Sequence, residues 1–278
     1  MLTKKQRERL TEFCHVLIDQ EAARVIVKPN KSHSGYWVGS GNMIEDSDGT
    51  FYLSARYRDF GDSRTGLSSG ARGVELAIFK STDRGGSFEK ILAFSKQDLS
   101  PAGCTVLSIE GSALRFSDEG VELFASSEKD GVGYPNGLEA FLKPGAGVWT
   151  IERIAASSVE ALAEAPVETY LTTDDPQYVH IKDPYLYETK HGQTIFGFCT
   201  HPFTWASTNC GYAIYDQTSN TLGAPNFTFF PRGAAWDVAI SRVTSMLSVP
   251  AIGDFAGMEP LALLFYDGGE SLRNLDEH

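Results

Sequence analysis

Hydrophobic and polar positions follow two different periods along the chain, one before residue 35 and another beyond it. Within residues 3–24, apolar side chains such as Leu10, Phe13 and Leu17 recur every three or four positions. This spacing predicts an amphipathic helix that docks on the rest of the chain, with Thr3 as its N-cap. Beyond residue 35, short apolar or alternating runs are broken by Gly, Asp, Ser and Pro. That pattern is typical of short β-strands joined by turns.

A strand–turn–strand plan repeats along this second part. Its turn glycines Gly49, Gly120 and Gly192 are separated by 71 and 72 residues. The copies cover residues 41–57, 111–128 and 184–201, and a fourth begins at 235–247 and continues at 261–269. Further strand pairs are predicted between the hairpins: 74–80 with 88–94, 138–143 with 148–156, and 210–216 with 226–231. Four strands in a repeat of about seventy residues is the arrangement of a β-propeller blade.

The sequence therefore predicts an all-β fold, a β-propeller with an N-terminal helix. Residues 1–35 would hold the helix and a lead-in strand, and residues 36–278 the propeller. The expected blades are about 36–97, 105–156, 178–232 and a partial one at 235–278, with 156–178 as a short helix and a connecting loop. From residue 36 onward there is room for only about 3.4 repeats, whereas closed propellers typically have 4–8 blades. We therefore expect an incomplete ring, whose strand edges are covered in a homo-oligomer or by a missing C-terminal segment.

The composition narrows the classes of function. The chain has 24 Lys and Arg against 36 Asp and Glu, a net charge of −12 that argues against nucleic acid as a partner. With 42% hydrophobic and 22% charged residues, it can bury a core. No run approaches the ~20 apolar residues that cross a bilayer, so no membrane partner is expected. The four scattered cysteines and the lack of an apolar signal segment indicate a cytoplasmic protein.

One short motif concerns a turn. Residues 81–88 carry the pattern S-x-D-x-G-x-x-F at Ser81, Asp83, Gly85 and Phe88. In such a turn the aspartate accepts backbone N–H bonds, the glycine supplies a positive φ and the aromatic ring packs into the blade. The pattern is similar to the Asp-box of sialidases and related propellers. The resemblance implies a structural role at an outer turn, away from the active centre.

Two hairpins resemble those of furanosidase-type glycoside hydrolases. IEGSALRFSDEGVELFASSE (109–128) looks like their glutamate-bearing strand, and IKDPYLYETKHGQTIFGF (181–198) like their D-P strand. The resemblance spans roughly residues 36–270. It implies a five-bladed propeller whose innermost strands deliver carboxylates to a central funnel that binds a carbohydrate or glycoside. No cofactor is implied: a central cation such as calcium is compatible with the funnel, but no metal-binding motif indicates one.

Counting back from the turn glycines places carboxylates in equivalent positions of successive blades. Glu110 and Asp183 are 73 residues apart, and Asp237 opens the next copy. Glycosidic cleavage needs one carboxyl to protonate the departing oxygen and another to attack or to activate water. The leading hypothesis is an exo-acting glycoside hydrolase that cleaves a terminal sugar. Glu110 would be the general acid, its pKa raised by desolvation, with Asp183 as nucleophile or base and Asp237 assisting.

Three other functions stay open. The first blade reads VGSGNM, with Ser40 and no aspartate in the equivalent position, so the base could be Asp183 or Asp237. A non-catalytic propeller that binds sugar or a protein is therefore the first alternative. A sialidase is the second, with Arg56 and two further arginines, Arg115 and Arg242, as its carboxylate-binding triad, although no first-strand R-x-P motif is present. A glycoside phosphorylase is the third, but no basic cluster for phosphate is evident.

Candidate substrate-binding residues lie at hairpin ends and among the aromatics. Arg56 and Arg58 precede a Gly- and Ser-rich segment, 59–72, that is long enough to form a binding rim. The alternative for these arginines is a surface salt bridge with Asp59 or Asp62. The full set is Arg56, Arg58, Asn42, Trp37, Arg242 and His201, with Trp205 and Trp236 as further candidate stacking surfaces.

Overall fold

The protein was analysed as a computed structural model, which describes residues 1–59, 71–117 and 119–271. The described residues form four antiparallel sheets and one α-helix, which confirms the predicted all-β class. The sheets follow one another along the chain as propeller blades, and inner strands of neighbouring blades contact each other. No helix in the described ranges is long and apolar enough to cross a membrane.

The helix α1 covers Lys4–Leu17 and ends well before the predicted limit at residue 24. Thr3 is its N-cap, as predicted: its hydroxyl accepts a hydrogen bond from the Gln6 backbone, and the Gln6 side chain accepts one from the Thr3 backbone. None of the helical residues is buried, so the helix rests on the surface through polar contacts such as Lys5 with Asp254 at 2.8 Å. Residues 18–36 contain no strand, so the predicted lead-in strand is wrong.

The first blade has five strands, β1 to β5. Their bounds are Trp37–Gly39, Met43–Glu45, Phe51–Asp59, Ala71–Ser81 and Glu89–Ser95. Strand β3 pairs with β1, β2 and β4, and β4 pairs with β5. The binding rim predicted at 59–72 falls mostly on residues 60–70, which lie outside the described residues.

The turn after β4 has the geometry expected from its sequence. Asp83 Oδ1 accepts hydrogen bonds from the Ser87 backbone at 2.9 Å and from the Ser81 hydroxyl at 2.8 Å. Gly85 has a φ of 80° and lies against the rings of Phe51 and Phe88. These hydrogen bonds lower the pKa of Asp83 to about 2, so this carboxylate acts as a turn anchor.

The second blade corrects two expectations. Its strands β6 to β9 are Thr105–Ser117, Gly120–Asp130, Val148–Ala156 and Glu168–Leu171, hydrogen-bonded in that order. The strand predicted at 138–143 is wrong, because Glu139–Phe141 form a 3₁₀ turn and Phe141 is 61% exposed, without the buried face that a strand needs. The fourth strand comes instead from the segment 156–178, so the blade extends beyond the predicted end at 156.

The third blade contains β10 to β14, and the fourth sheet contains β15 and β16. The bounds are His180–Glu188, Thr194–His201, Asn209–Asp216, Thr221–Leu222 and Asn226–Phe230, then Ile240–Ser248 and Ala262–Gly269. Strand β12 pairs with β11, β13 and β14. Within the described ranges there are thus three blades of four or five strands and a fourth sheet of two.

Apolar clusters fill the space between blades. One joins the first and second blades and includes Leu76, Ile78 and Leu123, all fully buried. Another joins the second and third blades around Phe124 and Phe196, whose ring centroids are 4.9 Å apart. Because these clusters hold neighbouring blades together, the inner strand ends are kept in fixed relative positions, and the candidate site is built on those ends.

Candidate active site

The innermost strand of three successive sheets is interrupted at the same level. The pairing register shifts at Ile109/Ser112 in β6, Lys182/Tyr185 in β10 and Val243/Ser245 in β15. Bulges of this kind re-aim side chains and are common beside active sites. Ser40 and Asp183 also share a positive φ, 58° and 54°, at their equivalent positions in the first and third blades. The first and third blades therefore share a left-handed backbone conformation at equivalent positions.

These bulges surround a cavity of about 180 Å³. The charged side chains that line it are Arg56, Lys182, Asp183, Arg242 and Asp267. Backbone from all four sheets completes the wall, including Gly111 of β6 and Ser40 after β1. Residues from strands more than 200 positions apart in sequence thus converge on one small volume.

Asp183 presents its carboxylate to this cavity. Its Oδ1 accepts a hydrogen bond from the Gly111 backbone nitrogen at 3.2 Å, and its Oδ2 accepts one from Cys199 Sγ at 3.3 Å. The side chain is 30% exposed, and Lys182 Nζ lies 3.7 Å from Oδ2. Since both oxygens have fixed donors, the carboxylate is held in one orientation while one side remains open.

Glu110 lies directly behind the cavity wall. Its Oε2 is 3.1 Å from Arg56 Nη2, and its Oε1 accepts a hydrogen bond from the Ser108 hydroxyl at 2.9 Å. The two charged side chains are only 9% and 10% exposed. Arg56 also donates to the Ile109 carbonyl at 2.9 Å, and its guanidinium lies 4.5 Å from the centre of the Trp37 ring. Arg56 therefore connects the first blade to the second through Glu110.

The pKa of Glu110 is shifted in the direction opposite to that predicted from the sequence. Burial raises the pKa of Glu110, but Arg56 and then Lys182 outweigh burial, so the pKa is lowered from its usual value. The predicted raised pKa of Glu110 is therefore wrong, because the sequence does not show that an arginine from another blade reaches it. For Asp183, burial is again outweighed, by Lys182, Arg242 and Arg56, and the pKa lies well below its usual range. Both carboxyls are therefore ionised at neutral pH.

Comparison with known proteins defines the fold. No family model and no curated protein sequence matches the chain. A solved thermostable family-43 glycoside hydrolase superposes with a TM-score of 0.50 at 11% identity, covering 81% of this chain and 64% of that protein. The chain shares the fold of this hydrolase. The predicted resemblance to five-bladed propeller glycoside hydrolases is thereby confirmed for the fold.

Two further solved structures are similar to this chain, with lower TM-scores. An endo-arabinase from Bacteroides thetaiotaomicron gives a TM-score of 0.43 at 11% identity, covering 85% of this chain and 66% of that one. A β-xylosidase/α-arabinofuranosidase from a compost microbial metagenome gives 0.46 at 9% identity, covering 73% and 61%. The chain therefore spans less than two thirds of the length of each of these proteins.

Three of the predicted site residues are not among those that line the cavity. Asn42 binds the Leu114 backbone through both amide atoms, at 2.7 and 2.8 Å, and so joins the first two blades. Asp237 precedes β15 and accepts a hydrogen bond from the Tyr266 hydroxyl at 3.2 Å. Trp37 lies beneath Arg56. Each of the three thus has a structural contact, and its predicted substrate-binding or catalytic role stays a prediction.

His201 and Trp205 are not at the cavity either. The His201 ring is buried, its Nδ1 lies 3.1 Å from the Ser207 carbonyl, and its centroid is 4.3 Å from Trp205. Trp205 also packs on Trp149 of β8 at 4.6 Å, so it belongs to an aromatic cluster between the second and third blades. Trp236 is 53% exposed and stacks on a tyrosine ring outside the cavity.

The predicted arginines divide into two groups. Arg56 and Arg242 line the cavity, and Arg56 is paired with Glu110, not with Asp59. Arg58 pairs across β1 and β3 with Trp37 and is not part of the cavity lining. Arg115 donates to Glu122 at 2.7 Å, between the second and third blades, so the arginine triad required by the sialidase hypothesis is not assembled. Asp62 lies outside the described residues.

Sequence reasoning missed Lys182 and Asp267. Lys182 precedes the D-P pair directly, but adjacent strand residues normally point to opposite faces, so only the bulge at Lys182/Tyr185 brings both into the cavity. Asp267 reaches the site as the partner of Arg242, at 3.3 Å. In the part of the chain that the structure describes, no group of three His, Cys, Asp or Glu side chains is arranged to hold a metal ion.

Proposed function

We propose that the chain is a glycoside hydrolase that cleaves a terminal sugar, with Asp183 and Glu110 as its carboxylate pair. One observation carries the proposal. Asp183 is anchored on the backbone of Gly111, the residue that follows Glu110, so Asp183 faces the cavity while Glu110 lies directly behind its wall, in a propeller of the family-43 fold. Glycosidic cleavage needs two carboxyl groups on either side of the scissile bond.

The environment of each carboxyl supports a distinct role. Asp183 is ionised and faces the cavity, which suits the group that attacks the sugar or activates water. Glu110 is then the group that delivers a proton to the departing oxygen. Arg56 opposes protonation of Glu110, so substrate binding must weaken the effect of that cation before Glu110 can act.

The size of the cavity supports exo action. Pockets for drug-sized ligands have volumes of about 300–1,000 Å³. A cavity of about 180 Å³ is small beside such pockets and suits a single sugar ring. A chain end would enter it, and the rest of the substrate would remain outside.

One observation favours a second candidate, a non-catalytic sugar-binding propeller. Neither Glu110 nor Asp183 has a raised pKa, and Ser40 stands in the equivalent position of the first blade without a carboxyl. A site without a protonated acid can bind a sugar through its charged and backbone groups without cleaving it.

The two candidates are separated by a panel of aryl glycosides. For a hydrolase, Asp183→Asn and Glu110→Gln should each lower kcat/KM by at least about 100-fold, because each removes a group that acts on the reacting bond. Glu259→Gln, an exposed residue that does not line the cavity, is the matched control. Full activity in either site variant would remove that residue from the mechanism. Saturable sugar binding without turnover would select the binding protein.

A further inference from the structure

Three cations meet at the cavity of a protein whose net charge is −12. Arg56 comes from β3, Lys182 from β10 and Arg242 from β15, so the cluster depends on the fold and not on any basic run in the sequence. In an acidic protein, such a local concentration of positive charge focuses the field on anionic groups.

Each cation has one carboxylate partner. The N–O distances are 3.1 Å for Arg56 and Glu110, 3.7 Å for Lys182 and Asp183, and 3.3 Å for Arg242 and Asp267. A hydrolase of the kind proposed above must carry a proton on one of its two catalytic carboxyls when the reaction begins. Once either is protonated, three cations face two carboxylates, and one positive charge has no counterpart.

We propose that the terminal sugar of the substrate carries a carboxylate, as in a glycosiduronic acid, and that Lys182 and Arg242 bind this group. This inference rests on the proposed hydrolase function. Both residues lie at bulges of neighbouring inner strands and line the same cavity. A planar carboxylate between an ammonium and a guanidinium would accept charge-assisted hydrogen bonds from both.

The existing contacts of Lys182 and Arg242 leave them able to do so. Among the described residues, the contact recorded for the Lys182 ammonium is Asp183 at 3.7 Å, beyond hydrogen-bond distance, so its three N–H donors can turn to a ligand. Arg242 bonds Asp267, whose side chain is 58% exposed, and its Nε is buried without a hydrogen-bond partner in the described structure. An ion pair with so exposed a partner is weak and readily exchanged for a substrate carboxylate.

A substrate carboxylate would also prepare the site for chemistry. The same cations hold the pKa values of Glu110 and Asp183 low in the unliganded protein. A bound anion offsets them and favours protonation of one carboxyl, which a neutral sugar would not do. A monoanion matches the single uncompensated charge better than a phosphate, which carries between one and two negative charges near neutral pH. The ligand that fits this site is therefore a sugar carboxylate.

Binding can be measured without turnover, by calorimetry with free monosaccharides. Glucuronate and galacturonate should bind at least about tenfold more tightly than glucose and galactose, because hydrogen bonds between charged groups are stronger than those to a neutral sugar. Lys182→Met and Arg242→Met should each reduce that preference about tenfold. Lys143→Met removes an exposed lysine outside the cavity and should leave it unchanged. If either site variant does not fold, the preference of the wild-type protein for uronates over neutral sugars tests the inference on its own.

The outcomes separate this inference from the hydrolase proposal. Equal affinity for uronates and neutral sugars overturns the inference, as does turnover of neutral aryl glycosides with none of the uronides. Tight binding of inorganic phosphate, with phosphate-dependent cleavage of a neutral glycoside, overturns it in favour of phosphorolysis. Selective uronate binding without cleavage of any glycoside supports the inference and overturns the hydrolase.

Discussion

The backbone nitrogen of Gly111 lies 3.2 Å from Oδ1 of Asp183, a hydrogen bond between residues 72 positions apart. A Cβ atom at Gly111 would lie 2.6 Å from that oxygen and 3.0 Å from the Asp183 Cα. Only glycine permits so close an approach of β6 to β10. This contact sets the distance between the second- and third-blade carboxylates, since Glu110 is the preceding residue.

Gly111→Ala should therefore displace Asp183. We expect kcat/KM on a responsive glycoside to fall about 100-fold, because a displacement of roughly 1 Å in a reacting group has effects of that size. Overpacking should also lower the free energy of unfolding by about 1–3 kcal/mol. The control is Gly223→Ala, where the nearest atom to the added Cβ lies 3.5 Å away. Turnover equal to wild type would show that the Gly111 contact does not position Asp183.

The Arg56–Glu110 pair should make stability depend on acid pH. Because the pKa of Glu110 is lowered in the folded state, its contribution is complete above its unfolded value of 4.5 and is lost as pH falls through the folded value. Glu110→Gln should cost about 3 kcal/mol at pH 7, since Arg56 is left nearly buried without its partner. The difference from wild type should shrink below pH 4.5 in denaturation curves. A difference that is independent of pH would contradict the lowered pKa.

His180 should produce a second pH dependence in a different range. Burial, assisted by Lys182, lowers the pKa of His180 from 6.5 to about 3, so the folded state keeps it neutral while the unfolded state protonates it. Stability should then fall as pH falls from 6.5, by up to roughly 1.4 kcal/mol per pH unit. His180→Phe should flatten the slope between pH 6.5 and 5, with the exposed His191→Gln as control. An unchanged slope would exclude a buried neutral His180.

Glu122 joins the second and third blades without contributing to the cavity. Its carboxylate accepts hydrogen bonds from Arg115 and Arg153 at 2.7 Å and from the Tyr215 hydroxyl at 2.6 Å. Glu122→Gln should lower the free energy of unfolding by about 3–5 kcal/mol, because it leaves two arginine charges without their anion. Turnover per folded molecule should be unchanged, and exposed Glu164→Gln should alter neither. Lost turnover in a stably folded variant would link this cluster to the site.

Local sequence was sufficient to predict the hairpins and their regular spacing along the chain. Gly49, Gly120 and Gly192 adopt φ values of 79°, 136° and 76° at the predicted turns, because a tight turn restricts the residues that can occupy it. The equal spacing of the turns also brought Glu110 and Asp183 to the same level of neighbouring blades. Short apolar runs were less informative: LEAFLK fits a strand or a helical turn equally well, and only its exposure in the folded chain separates the two.

The charges of the site depended on tertiary structure. Arg56 reaches Glu110 from another blade and reverses the expected direction of its pKa shift. Lys182 and Arg242 share a cavity only because bulges turn their strands and because the blades pack side by side. The repeat and the positions of its carboxylates followed from local turn and strand preferences. The fold alone decided which cations face them, because electrostatic interactions depend on distance through space and not on separation along the chain.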